Sequence, residues 1–240
     1  MRPQLAQTEE WEFLVVFGTY STKDIWKGVK SESGVTPILS VQYGKWLFGH
    51  NAIVSYQLLD HENFGLSVGV NYRQDGYNAK GLVSSAKSKD LVFKGYKTPE
   101  EDVTIVVDGY WSLFNFTLEQ DVSGKSKGLA ADLGINAPIY TDDNFSLQAD
   151  ANMHWKNSND SQHIYGVSAK QIDNSVGRTA YNIGSTTSYS VGLTATYQLN
   201  PDWNLIANAQ YMKFDDKIAK SPLVGKDSNT SFLLGATYSF

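Results

Sequence analysis

The side chains best suited to chemistry are four histidines, His50, His61, His154 and His163, together with scattered carboxylates. None of the four stands in a HExxH pair or a similar spacing that would turn two imidazoles toward one metal ion. Cysteine is absent, which removes disulfides, thiolate metal sites and cysteine nucleophiles. No GxSxG elbow, P-loop or dinucleotide fingerprint occurs. The acid–base pair to weigh is Asp150 with His154. Four residues apart along a strand, they would stand about 13 Å from each other, too far for a direct hydrogen bond. The residues therefore assign no catalytic group, no cofactor and no metal, and the histidines read as surface or lumen groups.

The elements that carry these side chains are strands. Over 187–199, Tyr189, Val191, Leu193, Ala195, Tyr197 and Leu199 alternate with Ser188, Ser190, Gly192, Thr194, Thr196 and Gln198. The same period of two runs through 64–73 and 145–155. Further strands are expected at 11–22, 36–43, 46–58, 103–112, 114–122, 127–139, 203–214 and 231–240.

Alternation alone also fits a soluble sheet, which would fill its polar face with Lys, Glu and Arg. Here that face holds Ser, Gly, Thr, Asn and Gln, with isolated charges at Arg73, Asp108, Glu119, Asp132 and Asp150. Small polar groups suit a crowded barrel interior, and aromatic residues near strand ends (Phe145, Trp155, Trp203, Tyr211) suit interfacial girdles. The expected fold is an all-β, transmembrane, antiparallel up-and-down barrel of twelve strands, with ten as the alternative. Its place is the bacterial outer membrane. Only 19% of residues are charged, and the net charge of −5 lacks the basic surface that nucleic acid requires. No apolar run approaches the ~18 residues of a membrane-spanning helix. Residues 1–10 are expected to be a flexible N-terminus or the remnant of a signal peptide (Leu5-Ala6-Gln7), with the barrel over 11–240.

Counting segments gives eleven strands, yet a single-chain bacterial barrel takes an even number. Either one strand is hidden, or residues 36–58 form one long strand bulged at Gly44. Tyr43-Gly44-Lys45-Trp46 also has the form of a type II′ hairpin turn. Short turns are expected at 141–144, 200–202 and 60–63, on the periplasmic side. Longer connections at 23–34, 76–102, 122–127, 157–186 and 215–230 are expected outside.

Inward Arg73, Asp108, Asp132 and Asp150 would either line a solute path or pair internally and stiffen the barrel; internal pairing is the favoured reading. Lys80, Lys87, Lys89, Lys94 and Lys97 would meet lipopolysaccharide phosphates if they do more than solvate their loop. The last strand places Phe232, Leu234, Ala236, Tyr238 and Phe240 on one face. Tyr238 and the terminal Phe240 resemble the signal read by the barrel-assembly machinery.

Four strings, in order, resemble the MltA-interacting protein (MipA/OmpV) family of Gram-negative outer membranes. His163-Ile164-Tyr165-Gly166-Val167-Ser168 is similar to the family's YYGVS segment, and Ser221-Pro222-Leu223-Val224 to its SPLV. Gly235 to Phe240 looks like its GxTYxF ending, and Pro37 to Phe48 like its proline-led hairpin. Two departures stand out: Ile164 replaces the first tyrosine of the doublet, and Lys97-Thr98-Pro99-Glu100-Glu101 lacks the usual acidic–Arg pair. The resemblance implies a non-enzymatic scaffold bridging a lytic transglycosylase to a bifunctional penicillin-binding synthase. On the residues alone, Tyr165 to Ser168 and Ser221 to Val224 either recognise a partner or pack loop against loop over the mouth. A small-solute channel or uptake barrel is the competing function.

Overall fold

Strands with one apolar and one polar face have two ways to satisfy both: stack two sheets in water, or close a ring in lipid with the polar face inward. This chain closes a ring. The computed structural model describes residues 11–49, 52–78 and 88–239, so residues 1–10, His50 and Phe240 lie outside the described residues. Its strands are β1 (Trp11–Thr22), β2 (Glu32–Tyr43), β3 (Trp46–Phe48), β4 (Val54–His61), β5 (Phe64–Arg73) and β6 (Asp102–Trp111). They continue with β7 (Phe114–Asp121), β8 (Leu129–Thr141), β9 (Phe145–Lys156), β10 (Thr186–Gln198), β11 (Trp203–Lys213) and β12 (Ser228–Ser239). Each pairs antiparallel with its chain neighbours, and β12 returns to β1 to close the barrel.

The count of twelve comes from residues 46–58, which are two strands and not one. The merged strand over 36–58, and with it the ten-stranded alternative, is overturned: β3 pairs with β2 on one side and β4 on the other. Gly49, at φ +69, makes the reversal, and its N–H donates to the Ile53 carbonyl at 3.1 Å. The alternation hides this turn for a geometric reason. Phe48 opposes Val54, six residues on, so the even-numbered apolar phase runs through the reversal unbroken. At the Gly44–Lys45 turn Tyr43 opposes Trp46, and an odd separation shifts the phase. There Gly44 alone takes a positive φ, as a type II′ turn requires.

The outward face is apolar from rim to rim, with Val191, Leu234, Phe232 and Trp111 more than half exposed. At the short-turn end aromatic pairs form a girdle: Trp11 on Tyr43 at 4.6 Å between centroids, Trp46 on Tyr56 at 5.0 Å, Trp203 on Tyr238 at 4.8 Å. Such a surface matches a bilayer and would aggregate in water. Among the described residues no helix is long and apolar enough to cross a membrane.

Both helices lie in loops. α1 (Ser158–Tyr165) starts where the Asn157 side chain accepts from the Asp160 N–H at 2.9 Å, and α2 (Asp216–Ala219) follows Asp215. The connections longer than four residues all leave the same end of the barrel. The buried apolar cluster sits among them and not in the lumen.

Candidate functional site

Four loops meet over the long-loop mouth. The β1–β2 loop gives Ile25, Trp26 and Val29, and the β5–β6 loop gives Tyr77 and Val92. The β9–β10 connection adds Ile164, Tyr165, Val167 and Ile183, and the β11–β12 loop adds Ile218, Leu223 and Val224. Trp26 stacks on Tyr165 at 5.7 Å and bridges to Val224. Arg178, itself buried, donates to the carbonyls of Val92, Lys94 and Gln171, tying the β5–β6 loop to the β9–β10 connection. Each large apolar side chain removed from water here contributes roughly 1.5–3 kcal/mol before entropy is counted. That is enough to hold loops that share no sheet.

The two loop motifs singled out in the sequence converge in this cap. Tyr165, Val167, Leu223 and Val224 are buried in the cluster, and Pro222 is half-buried beside it. The Ser221 hydroxyl donates to the Tyr165 carbonyl at 2.7 Å. Gly166 ends α1, its N–H donating to the Gln162 carbonyl at 3.0 Å, while Ser168 is exposed.

Beneath the cap lies a layer of charge. Arg73, at the inward end of β5, donates to Asp102 at 3.0 Å and to Asp160, with Asp75 and Glu119 each at 3.5 Å. Lys156 donates to the other oxygen of Asp160 at 2.9 Å. Thr104 and Asn71 donate to Glu119, and Ser126 to Asp102. Asp160 is 0% exposed and Asp102 2%, while Asp75 and Lys156 at the edge of the layer keep partial exposure. Its function is to pin α1 to the barrel wall, since an unpaired charge here would be very costly.

Of the four lumen charges expected from the sequence, Arg73 joins this layer without touching the other three. Asp108 accepts from Ser67 at 3.1 Å, and Asp150 accepts from Asn152 at 2.8 Å. Asp132 contacts His154 at 2.5 Å, and the far nitrogen of that ring lies 2.9 Å from the Ser190 hydroxyl. Along its own strand His154 stands four residues from Asp150, beyond hydrogen-bond reach. The partners come instead from the strands on either side, Asp132 on β8 and Ser190 on β10. The order Asp–His–Ser matches a serine-hydrolase relay. However, Ser190 is 2% exposed, and Asn152 places its amide 3.4 Å from the hydroxyl, so no carbonyl substrate reaches the oxygen.

Of the remaining candidates, His163 contacts the Glu100 carbonyl at 2.8 Å and His61 stacks on Phe64. Among the described residues no group of three or more His, Asp or Glu could hold a metal ion. Lys89, Lys94 and Lys97 are exposed on the cap, whereas Lys80 and Lys87 lie outside the described residues. Asp102, Glu119, Lys156 and Asp160 complete the charge layer and were not among the expected site residues. Asp160 comes from a loop helix, which strand periodicity does not reveal.

A closed antiparallel barrel with an apolar exterior, one mouth filled by its own loops, defines a transmembrane barrel of the bacterial outer membrane. The family model described as MltA-interacting protein MipA matches residues 15–240, and the chain belongs to that family. The MltA-interacting protein of Escherichia coli (strain K12) is 29% identical over 124 residues, 52% of this chain and 49% of that protein. The protein of the same name from Shigella flexneri matches to the same extent. The match thus spans about half the length of these relatives. Among solved structures, an outer membrane channel from Pseudomonas putida F1 is 10% identical, with 100% of this chain and 98% of that one covered and a TM-score of 0.46. OmpT of Vibrio cholerae is 12% identical, with 96% and 97% covered and a TM-score of 0.37. Neither likeness bears on function.

Proposed function

We propose that this barrel is a non-enzymatic scaffold that holds a lytic transglycosylase, and through it a penicillin-binding synthase, at the inner surface of the outer membrane. The partner is suggested by the name of the Escherichia coli relative, MltA-interacting protein. The observation that carries the reading is the sealed loop end. With Asp160 0% exposed beneath a packed cap, the described loops fill that mouth with their own side chains, which favours a scaffold over an open channel.

In this reading the long loops face outward and the short turns face the periplasm. The motifs Tyr165 to Ser168 and Ser221 to Val224 then serve the cap, and the partner docks on the turns. These carry Lys45, Glu62, Asn63, Asp142, Asp143 and Asp202. Tyr238 and Phe240 serve assembly, as the signal that the insertion machinery reads.

Photo-crosslinking in intact envelopes tests the reading. A crosslinker placed at Glu62 or Asp143 is expected to capture a lytic transglycosylase, and one placed at Lys97 is not. Capture of no murein enzyme from any turn position would overturn it. In planar bilayers the purified chain is expected to be silent, and steady conductance would favour the channel instead.

A further inference from the structure

We infer that the outer wall over β10, β11, β12 and β1, at the long-loop end, seats a phosphorylated, acylated glycolipid of the outer leaflet. The inference rests on the outward orientation of the long loops and not on the partner assigned to the short turns.

The register lays the wall out row by row. One outward row near the long-loop end joins Lys23, whose N–H donates to the Thr230 carbonyl at 3.1 Å, through Thr230 to its partner Tyr211. Just above it, Ser228 opposes Lys213, and Lys226 stands exposed in the adjoining loop. Lys23, Tyr211, Lys226, Ser228 and Thr230 border a groove of about 750 Å³. Lys23 and Lys226 line it with Asp227, whose carboxylate is already paired with Lys213 beside the groove, which holds that carboxyl below the usual range. Lys23 is exposed, and Lys226 spends its ammonium on the Asp24 carbonyl at 3.0 Å, a contact that a phosphate oxygen can replace or share.

Directly below, the same strands form an apolar groove of about 570 Å³. Phe232 and Leu234 on β12 stand on one side, and Leu193 on β10 with Leu147 on β9 on the other. Between them the β11 positions carry Ala209, opposite Phe232, and Ala207, opposite Leu234. A furrow therefore runs down β11 from Tyr211, with cations at its head and hydrocarbon walls along its length.

That sequence of chemistry along one line is an amphiphile's own: anionic head, interfacial layer, acyl chain. Tyr211 belongs at the boundary, where an aromatic ring with a polar tip partitions. A free phosphate would use only the head of the site, and a neutral lipid only the furrow. A phosphorylated glycolipid uses both, with the Ser228 hydroxyl offered to its sugar or phosphate oxygens. The cap lysines Lys89, Lys94 and Lys97 belong to the β5–β6 loop and line neither groove.

The test uses the full chain, refolded in detergent and checked for its folded, heat-shifted gel mobility. Native mass spectrometry then counts bound lipid as bisphosphorylated lipid A is titrated in. Retention is expected to exceed that of dephosphorylated lipid A and of phosphatidylglycerol by tenfold or more, on the order of two lysine–phosphate contacts at a membrane surface. Inorganic phosphate in excess is expected not to displace it. The double variant Lys23→Gln with Lys226→Gln is expected to lose that preference, and Lys23→Arg with Lys226→Arg to keep it. The variant Ala209→Phe is expected to weaken retention of both lipid A forms.

Equal retention of phosphatidylglycerol, or an unchanged preference in the double glutamine variant, would overturn the inference. So would an equal loss on changing Lys97 and Lys170 to glutamine, since general charge would then explain the binding. A failed crosslink at the turns, by contrast, leaves these measurements untouched.

Discussion

Ser221 and Tyr165, 56 positions apart in the chain, are joined under the cap by the Ser221 hydroxyl donating to the Tyr165 carbonyl at 2.7 Å. The hydroxyl also accepts from the Leu223 N–H at 3.2 Å, so one side chain closes its own turn and fastens it to the end of α1. Ser221→Ala strands a buried carbonyl and is expected to cost the cap about 1–3 kcal/mol. Protease cutting within 157–185 and 214–227 should rise while the heat-shifted gel mobility of the barrel stays unchanged. Cutting that stays at the wild-type rate would show that the apolar cluster alone holds the loops.

Asp160 answers to two cations, Arg73 and Lys156, from a position with no exposure. Asp160→Ala leaves Arg73 on Asp102 and Lys156 on Asp75 at 3.5 Å without the carboxylate that joined them, and breaking a buried pair of this kind costs about 3–5 kcal/mol. Hydrogen exchange is expected to speed up in α1 and at the upper ends of β5 and β9, with the short-turn end unaffected. Asp160→Asn should fall between the two proteins, because it keeps one acceptor and removes the charge. Global unfolding in either variant would mean that the layer supports the barrel and not only its cap.

How much of this was legible beforehand follows from what period-2 alternation encodes. It encodes which face a residue takes, so the barrel could be read from it, whereas of the paired girdle aromatics only Trp203 was expected at a membrane boundary. It does not encode chain direction. The reversal at Gly49 was therefore invisible, while the one at Gly44, which shifts the phase, could be seen. Nor does it encode which strand neighbours which residue laterally. His154 was compared with Asp150 on its own strand, although its partners Asp132 and Ser190 lie across the ladder at short reach. Loop contacts are further removed still: Asp160 and Ser221 act through helices and turns that no strand pattern anticipates.

Burial pushes the Tyr165 hydroxyl up from its ordinary value of 10.0 to about 12. A phenol that ionises later in the closed cap than in the opened one favours the neutral, closed form. Its contribution is complete below pH 10 and is lost as pH rises toward 12. Protease cutting of the loops is expected to climb across that window in the wild type, and less steeply in Tyr165→Phe. A tyrosinate absorbance titration of the two proteins should differ by one phenol ionising near the top of the window. A difference centred near pH 10 would contradict the burial of this group.

The Asp132–His154–Ser190 relay allows the question of hidden catalysis to be put directly. A serine nucleophile needs a general base, which His154 provides by distance, and a path for the substrate carbonyl, which Ser190 lacks at 2% exposure. A fluorophosphonate probe is therefore expected to leave Ser190 unlabelled in the folded barrel. The Asn152→Ala variant, which removes the amide lying 3.4 Å from the hydroxyl, separates covering from lack of activation. If labelling appears only there, the oxygen is activated but covered. If it stays absent, the relay is a hydrogen-bonded lumen ladder, and His154→Ala should cost no more than about 1 kcal/mol of stability, as expected for a partly exposed pair. Labelling of the unmodified chain at Ser190 would overturn the non-enzymatic reading of the whole protein.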